Sequence, residues 1–245
     1  MIEKIVEIKT AAGAMETFTV APGAGTYPPV IVYMDAPGIR EELYDFARRI
    51  AGQGYFVLLP DMYYRRGRLR FDLSSIDEAT RGQMFGAMRS LDNRLVMEDT
   101  KAMLDFLDAS PSARPGPRGC IGYCMSGQYV VSAAGTYPET FAASASLYGV
   151  GIVTDKPDSP HLLASRIKGE LYLGFAEEDE YVPDNVIPDL KAALDTGKVA
   201  YRLDVWPGTR HGFCFPQRAT YAEKAAEGVW EVVFDMYRRR LKPGG

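Results

Sequence analysis

The sequence predicts an α/β protein: one domain over residues 1–245, with a mostly parallel central sheet of about seven to eight strands and helices on both faces. Three observations carry this expectation. Short apolar runs of strand length alternate with longer, helix-patterned segments along the 245 residues, which is the signature of a parallel sheet covered on both sides. In mid-chain, Arg118-Gly119-Cys120-Ile121-Gly122-Tyr123-Cys124-Met125-Ser126-Gly127-Gln128-Tyr129 joins an apolar strand to a small-residue helix through a glycine-flanked cysteine. Finally, an acidic cluster and a histidine follow the last two predicted strands, in that order.

The elements read as follows. Two opening strands, Ile5–Ile8 and Met15–Val20, flank the turn Ala11-Ala12-Gly13. The loop Pro22-Gly23-Ala24-Gly25 leads into Pro29–Tyr33, an apolar run short enough to be a buried strand. A helix over Glu41–Ala51 closes at Gly52-Gln53-Gly54, and the strand Tyr55–Leu59 stops at Pro60-Asp61. Residues 63–93 are charged and irregular, with helix in part, and are expected to form a lid or wall. In the helix Leu95–Leu107, Val96, Met103, Leu104 and Leu107 share one face. After the mid-chain motif come strands over Ala142–Tyr148, Leu171–Phe175 and Val199–Val205. A C-terminal helix from Tyr221 to Leu241 is expected to bury Ala225, Val229, Val233 and Met236 or Tyr237.

Composition narrows the function. With 28 Lys+Arg against 32 Asp+Glu the net charge is −4, which argues against nucleic acid or an anionic membrane as the main partner. Hydrophobic residues make up 47%, enough for a substantial core. The first five residues show no basic region followed by an apolar run, so no secretory signal is expected. No apolar run approaches the roughly 18 residues that span a bilayer. Three cysteines without paired spacing fit a reducing, cytoplasmic setting better than a disulfide framework. Two histidines, His161 and His211, make a dedicated metal site improbable, and no cofactor is expected.

Gly-Tyr-Cys-Met-Ser-Gly reads as the nucleophile elbow of an α/β-hydrolase fold, with cysteine at the nucleophile position. Small flanking residues are needed because bulk would collide with the neighbouring strand and helix. A thiol held at a helix N-terminus is expected to favour the reactive thiolate. The base and its orienting acid should follow in the order acid, then histidine, on loops at the carboxyl ends of late strands. His211, in Trp206-Pro207-Gly208-Thr209-Arg210-His211, is the expected base. Among Glu177, Glu178, Asp179 and Glu180, Asp179 is favoured because Val182-Pro183 begins the next helix three residues on. His161 is expected to cap or pack. The oxyanion hole is expected from the backbone N–H of Met125 and, in Met34-Asp35-Ala36-Pro37-Gly38, that of Ala36. Asp35 beside it either touches the nucleophile or substrate, or is a solvent-facing strand-end aspartate.

Together these motifs resemble the dienelactone hydrolase (carboxymethylenebutenolidase) family, whose pattern is Gly-Tyr-Cys-x-Gly-Gly, then Asp-x-x-Val-Pro, then His-x-Phe. The matching residues are Gly122–Gly127, Asp179-Glu180-Tyr181-Val182-Pro183 and His211-Gly212-Phe213. Pro60-Asp61-Met62-Tyr63 matches the family's Pro-Asp-Leu-Tyr. The resemblance spans roughly residues 25 to 240. It implies a cofactor-free Cys124-His211-Asp179 hydrolase that opens an enol-lactone through a thioester. Asp35 stands where the family's thiol-activating glutamate lies, one methylene shorter. Of the two arginines that grip the lactone carboxylate in the family, one position is Phe215 here, with Arg218 the nearest substitute, and Arg81 is the candidate for the other. A broad-specificity ester or thioester hydrolase, a non-catalytic ligand-binding protein and a redox sensor pairing Cys124 with Cys214 are the competing readings. Shifting the elbow so that Ser126 is the nucleophile would put Gln128 where a small residue is wanted.

Overall fold

The computed structural model describes residues 1–71 and 77–242, and divides into two compact units, Met1–Pro115 and Gly116–Gly245. Each has four strands.

In the first unit, β1 (Ile2–Thr10) and β2 (Gly13–Ala21) form an antiparallel hairpin. β2 pairs antiparallel with β4 (Phe56–Pro60), and β4 pairs parallel with β3 (Pro29–Tyr33). Both opening strands are longer than the apolar pattern predicts: β1 adds Ile2, Glu3, Lys4, Lys9 and Thr10, mostly polar residues that hydropathy assigns to loops, and β2 adds Gly13, Ala14 and Ala21. β3 and β4 are buried along their whole length. The helix α1 (Glu41–Gly52) lies on one face, where its Arg48 reaches Glu3. α3 (Asn93–Ala109) lies on the other, with Phe106 facing Lys4 and Val6. The four apolar positions predicted to face inward on α3 are all buried.

The predicted lid or wall is a 3₁₀ turn (Tyr64–Arg66) and the helix α2 (Glu78–Met88), capped by Asp77, whose carboxylate accepts from the Thr80 N–H; residues 72–76 of it lie outside the described residues. Salt bridges explain why so polar a segment takes a defined course. Arg65 binds the buried Asp99 through two hydrogen bonds, and Arg70 binds the buried Asp61 and Glu16.

In the second unit, β5 (Arg118–Tyr123), β6 (Phe141–Leu147), β7 (Glu170–Glu178) and β8 (Tyr201–Arg210) are parallel throughout and adjacent in that order. The helix α4 (Gly127–Thr136) covers one face and α6 (Glu223–Leu241) the other; α5 (Val186–Thr196) links β7 to β8. The alternation along β5 shows both faces: a Cβ on Gly119 would meet Leu241 and Tyr237 of α6, and one on Gly122 would meet Val130 of α4. The Tyr237 hydroxyl donates to the Cys120 carbonyl at 3.0 Å. On α6 the buried residue is Ala226 rather than the expected Ala225, with Val229, Trp230, Val233, Met236 and Tyr237 completing the stripe. The helix starts two residues later than its apolar pattern suggests, and Ala226 lies three and seven residues before Val229 and Val233 on the same face.

Candidate active site

Parallel pairing places the ends of β5, β7 and β8 on one side of the second unit's sheet, and the three residues picked out by the motifs follow those ends directly. β5 ends at Tyr123, and Cys124 opens a single 3₁₀ turn (Cys124–Ser126) that leads into α4. Cys124 has φ 54°, the left-handed region that an L-residue enters only at a cost of order 1–3 kcal/mol. The turn is crowded. A Cβ on Gly127 would stand 2.2 Å from the Cα of Gly149, and one on Gly122 would be 2.8 Å from the Ser126 carbonyl. The Cys124 carbonyl accepts from the Val150 N–H at 3.0 Å, and the Gln128 amide donates to the Met125 carbonyl at 3.0 Å. Cys124 is half-buried, whereas Ser126 is fully buried. The shifted elbow therefore loses its nucleophile to the core.

β7 runs three residues beyond its predicted end, to Glu178, so Asp179 is the first residue after it; His211 is likewise the first after β8. The His211 Nδ1 lies 2.8 and 2.9 Å from the two carboxylate oxygens of Asp179, and both side chains are over nine-tenths buried. Asp179 also accepts from the Tyr181 N–H at 3.1 Å. The other ring nitrogen, Nε2, is buried, and the thiol of Cys124 is the second polar group acting on the ring. Burial disfavours a charged imidazole, but the hydrogen bonds and charges of Asp179 and Cys124 outweigh it and push the His211 pKa up to about 9. Glu177 and Glu178 are exposed, as expected of a solvated edge, yet they are tied down: Glu177 accepts from the Gly208 N–H and Glu178 from Arg210.

Two aromatic residues that the motifs do not mark enclose the histidine. Tyr148 packs edge-on against it, with ring centroids 5.1 Å apart, and Tyr181 does so at 4.8 Å. Tyr148 itself has φ 37° and its N–H bonds the Gly174 carbonyl at 2.6 Å. A tyrosine at a strand end before glycine is the only sequence trace of this. Tyr181 falls on a variable position of Asp-x-x-Val-Pro and is half exposed.

The remaining predicted residues sort clearly. Phe215 is fully buried against Tyr123, with centroids 5.2 Å apart, and belongs to the core. Arg218 stands over it, its guanidinium carbon 4.7 Å from the ring centroid, and runs along Gly212, where a Cβ would meet its Nη1 at 2.6 Å. That puts a cation one residue from His211. Arg81 is exposed on α2 in the first unit. Asp35 is not a solvent-facing aspartate. It is fully buried, and Arg40 binds it through two hydrogen bonds of 2.5 and 3.1 Å while also holding the buried Glu42. Ala36 beside it is buried, its carbonyl accepting from the Tyr63 hydroxyl at 2.8 Å. His161, expected to cap or pack, is half-buried with its Nδ1 2.8 Å from the Ser159 hydroxyl. Cys214 and Cys120 are fully buried, and desolvation raises both thiols, that of Cys120 to about 12. A buried, protonated Cys214 removes the basis for a redox pair with Cys124. Among the described residues no group of three His, Cys, Asp or Glu could hold a metal ion, and no helix is long and apolar enough to cross a membrane.

Known proteins share this plan. A candidate carboxymethylenebutenolidase of Synechocystis is 29% identical over 225 residues, covering 89% of this chain and 88% of the relative. One of Methylorubrum extorquens is 25% identical, covering 96% and 80%. The crystal structure of a candidate dienelactone hydrolase from Klebsiella pneumoniae superposes with a TM-score of 0.84 at 22% identity, covering 96% of this chain and 99% of that one. The fold is the α/β-hydrolase fold and the enzyme class that of carboxylic-ester hydrolases. The profile of the dienelactone hydrolase family matches residues 15–241, and the chain belongs to that family.

Proposed function

We propose that this enzyme hydrolyses a small lactone or activated ester by nucleophilic cysteine catalysis, with Cys124 as nucleophile, His211 as proton carrier and Asp179 as its orienting acid. The observation that carries the proposal is the left-handed Cys124 at the strand-to-helix turn, with a raised-pKa histidine held by a buried carboxylate beside it.

The resting state follows from the histidine. With its pKa near 9, His211 keeps its proton at neutral pH and can give it to a departing oxygen; the attacking form of the cysteine is the thiolate. Sγ attacks the carbonyl carbon, and the Met125 N–H, the first backbone donor after the nucleophile, stabilises the developing oxyanion. Collapse breaks the acyl C–O bond. The ring oxygen leaves, taking the Nε2 proton, and a thioester to Cys124 remains. His211, now neutral, takes a proton from water; hydroxide adds to the thioester carbonyl; the thiolate departs and the free acid is released. Asp179 holds the ring in one orientation throughout and offsets the imidazolium charge.

Arg218 favours a lactone or ester that carries its own carboxylate, because its guanidinium lies along Gly212 and a charge-assisted contact there is worth roughly 1.5–3 kcal/mol. The buried Phe215, where an arginine would be expected from the family pattern, favours a less acidic substrate. The test follows, by ultraviolet absorbance, hydrolysis of dienelactone and of a neutral p-nitrophenyl ester by wild type and Cys124→Ala. Cysteine-dependent turnover of dienelactone supports the full reading; turnover of the neutral ester alone keeps the mechanism and removes the acidic substrate. Equal rates for wild type and variant overturn the proposal.

A further inference from the structure

We infer that the outer edge of β1 is a pairing surface for a second copy of the chain, the two β1 strands running antiparallel about a two-fold axis at Val6. β1 is the outermost strand of its sheet, nine residues long and paired on one side only, with β2. Exposed apolar side chains gather on it and just before it: Met1, Ile2 and Ile5 are 65, 44 and 55% exposed, three of the six exposed large hydrophobics among the described residues.

Such an edge is normally guarded by charge. Here the charges are self-complementary in the one register that overlaps the two strands along their whole length; a pair centred on Ile8, which opposes Glu7 and Lys9, overlaps over Val6–Thr10 alone. Two antiparallel copies related by a two-fold axis can meet only with a residue opposite itself. Centring the pair on Ile5 sets Glu3 against Glu7 twice, centring on Glu7 sets that residue against its own copy, and centring on Lys4 does the same for lysine. Centring on Val6 sets Glu3 opposite Lys9 of the second copy, and Lys9 opposite its Glu3, with no like charges directly opposed.

The surroundings of Glu3 point the same way. Arg48 binds Glu3 at 2.8 Å and also binds Glu41 and Asp45, so one cation serves three carboxylates. Glu3 thus belongs to a cluster with a formal charge of −2, which a lysine from outside would offset. Lys9 is exposed and makes no ion pair among the described residues. A nine-residue strand pair buries less than the roughly 1,000 Å² at which stable interfaces begin. The dimer is therefore reversible.

Sedimentation equilibrium on the full chain tests this over about 5–500 µM. Wild type should show a monomer–dimer equilibrium that weakens at least tenfold in Lys9→Glu and in Glu3→Lys, and also weakens with added salt. An equimolar mixture of the two variants should dimerise again, because each substituted side chain then faces its opposite charge. Circular dichroism and ester hydrolysis check that each variant is folded, since neither position belongs to the active site. A wild type that stays monomeric throughout overturns the inference, and so does a dimer that both single variants leave intact or a mixture that fails to recover.

Discussion

The imidazole of His211 faces Asp179 at 2.8 and 2.9 Å through Nδ1, both groups standing on the first residue beyond neighbouring parallel strands. Two consecutive strand ends thus supply the pair without any adjustment of the loops that follow. The consequence for chemistry is a histidine that holds its proton well above neutrality.

That consequence is measurable. kcat/KM for an ester should fall as pH rises through about 9, when His211 loses the proton it must give to the leaving oxygen. In Asp179→Asn the histidine loses its carboxylate partner, so this limb should move to lower pH and the rate at neutral pH should fall by roughly 10²–10⁴. The same group affects stability. Its folded pKa of about 9 exceeds the unfolded value of 6.5, so its contribution is complete below about pH 6.5 and is lost as pH rises through 9. Tm measured from pH 6 to 10 should decline over that window in wild type and less steeply in His211→Asn.

The elbow glycines should tolerate nothing larger. Gly127→Ala would drive a methyl into the Gly149 backbone at 2.2 Å and the Ser146 hydroxyl at 2.6 Å. Overpacking of this kind costs about 3 kcal/mol, a fall in Tm of roughly 6–12 °C for a chain of this size. Gly82→Ala, where no neighbour lies within 4 Å, is the matched control and should leave Tm unchanged or slightly raised.

Arg40 should be indispensable to folding in the first unit. It serves two carboxylates, Asp35 and Glu42, that are 0 and 3% exposed. Arg40→Met would leave both buried without it and should cost about 3–5 kcal/mol, read by urea denaturation. Adding Asp35→Asn and Glu42→Gln should recover part of that loss.

Arg218→Gln should separate substrates. KM for a carboxylate-bearing lactone should rise roughly tenfold while that for a neutral ester stays within twofold. Equal effects on both would assign Arg218 to packing over Phe215 alone.

Much of this was legible in the sequence because the constraints are local. Gly122 and Gly127 can only be glycine, the apolar run Pro29–Tyr33 is a fully buried strand to the residue, and Asp179 and His211 are each punctuated by a strand end. What the sequence hid is set by contacts distant along the chain. Asp35 read either as a contact to nucleophile or substrate or as a solvent-facing charge, and its ion pair was not legible, since its partner Arg40 carries no motif and its burial depends on packing. Tyr148 and Tyr181 flank His211 only once β6, β7 and β8 are assembled. The length of β1 was missed because its alternating charges face water on an edge, where hydropathy carries no signal.

The central claim is that Cys124 carries the acyl group. Rapid acid quench of the enzyme with a slow ester, followed by intact and peptide mass spectrometry, tests it most directly. A transient adduct of the acyl mass is expected, released by hydroxylamine and mapped to the peptide containing Cys124. Steady turnover with no adduct at any time, or an adduct on Ser126, would contradict it.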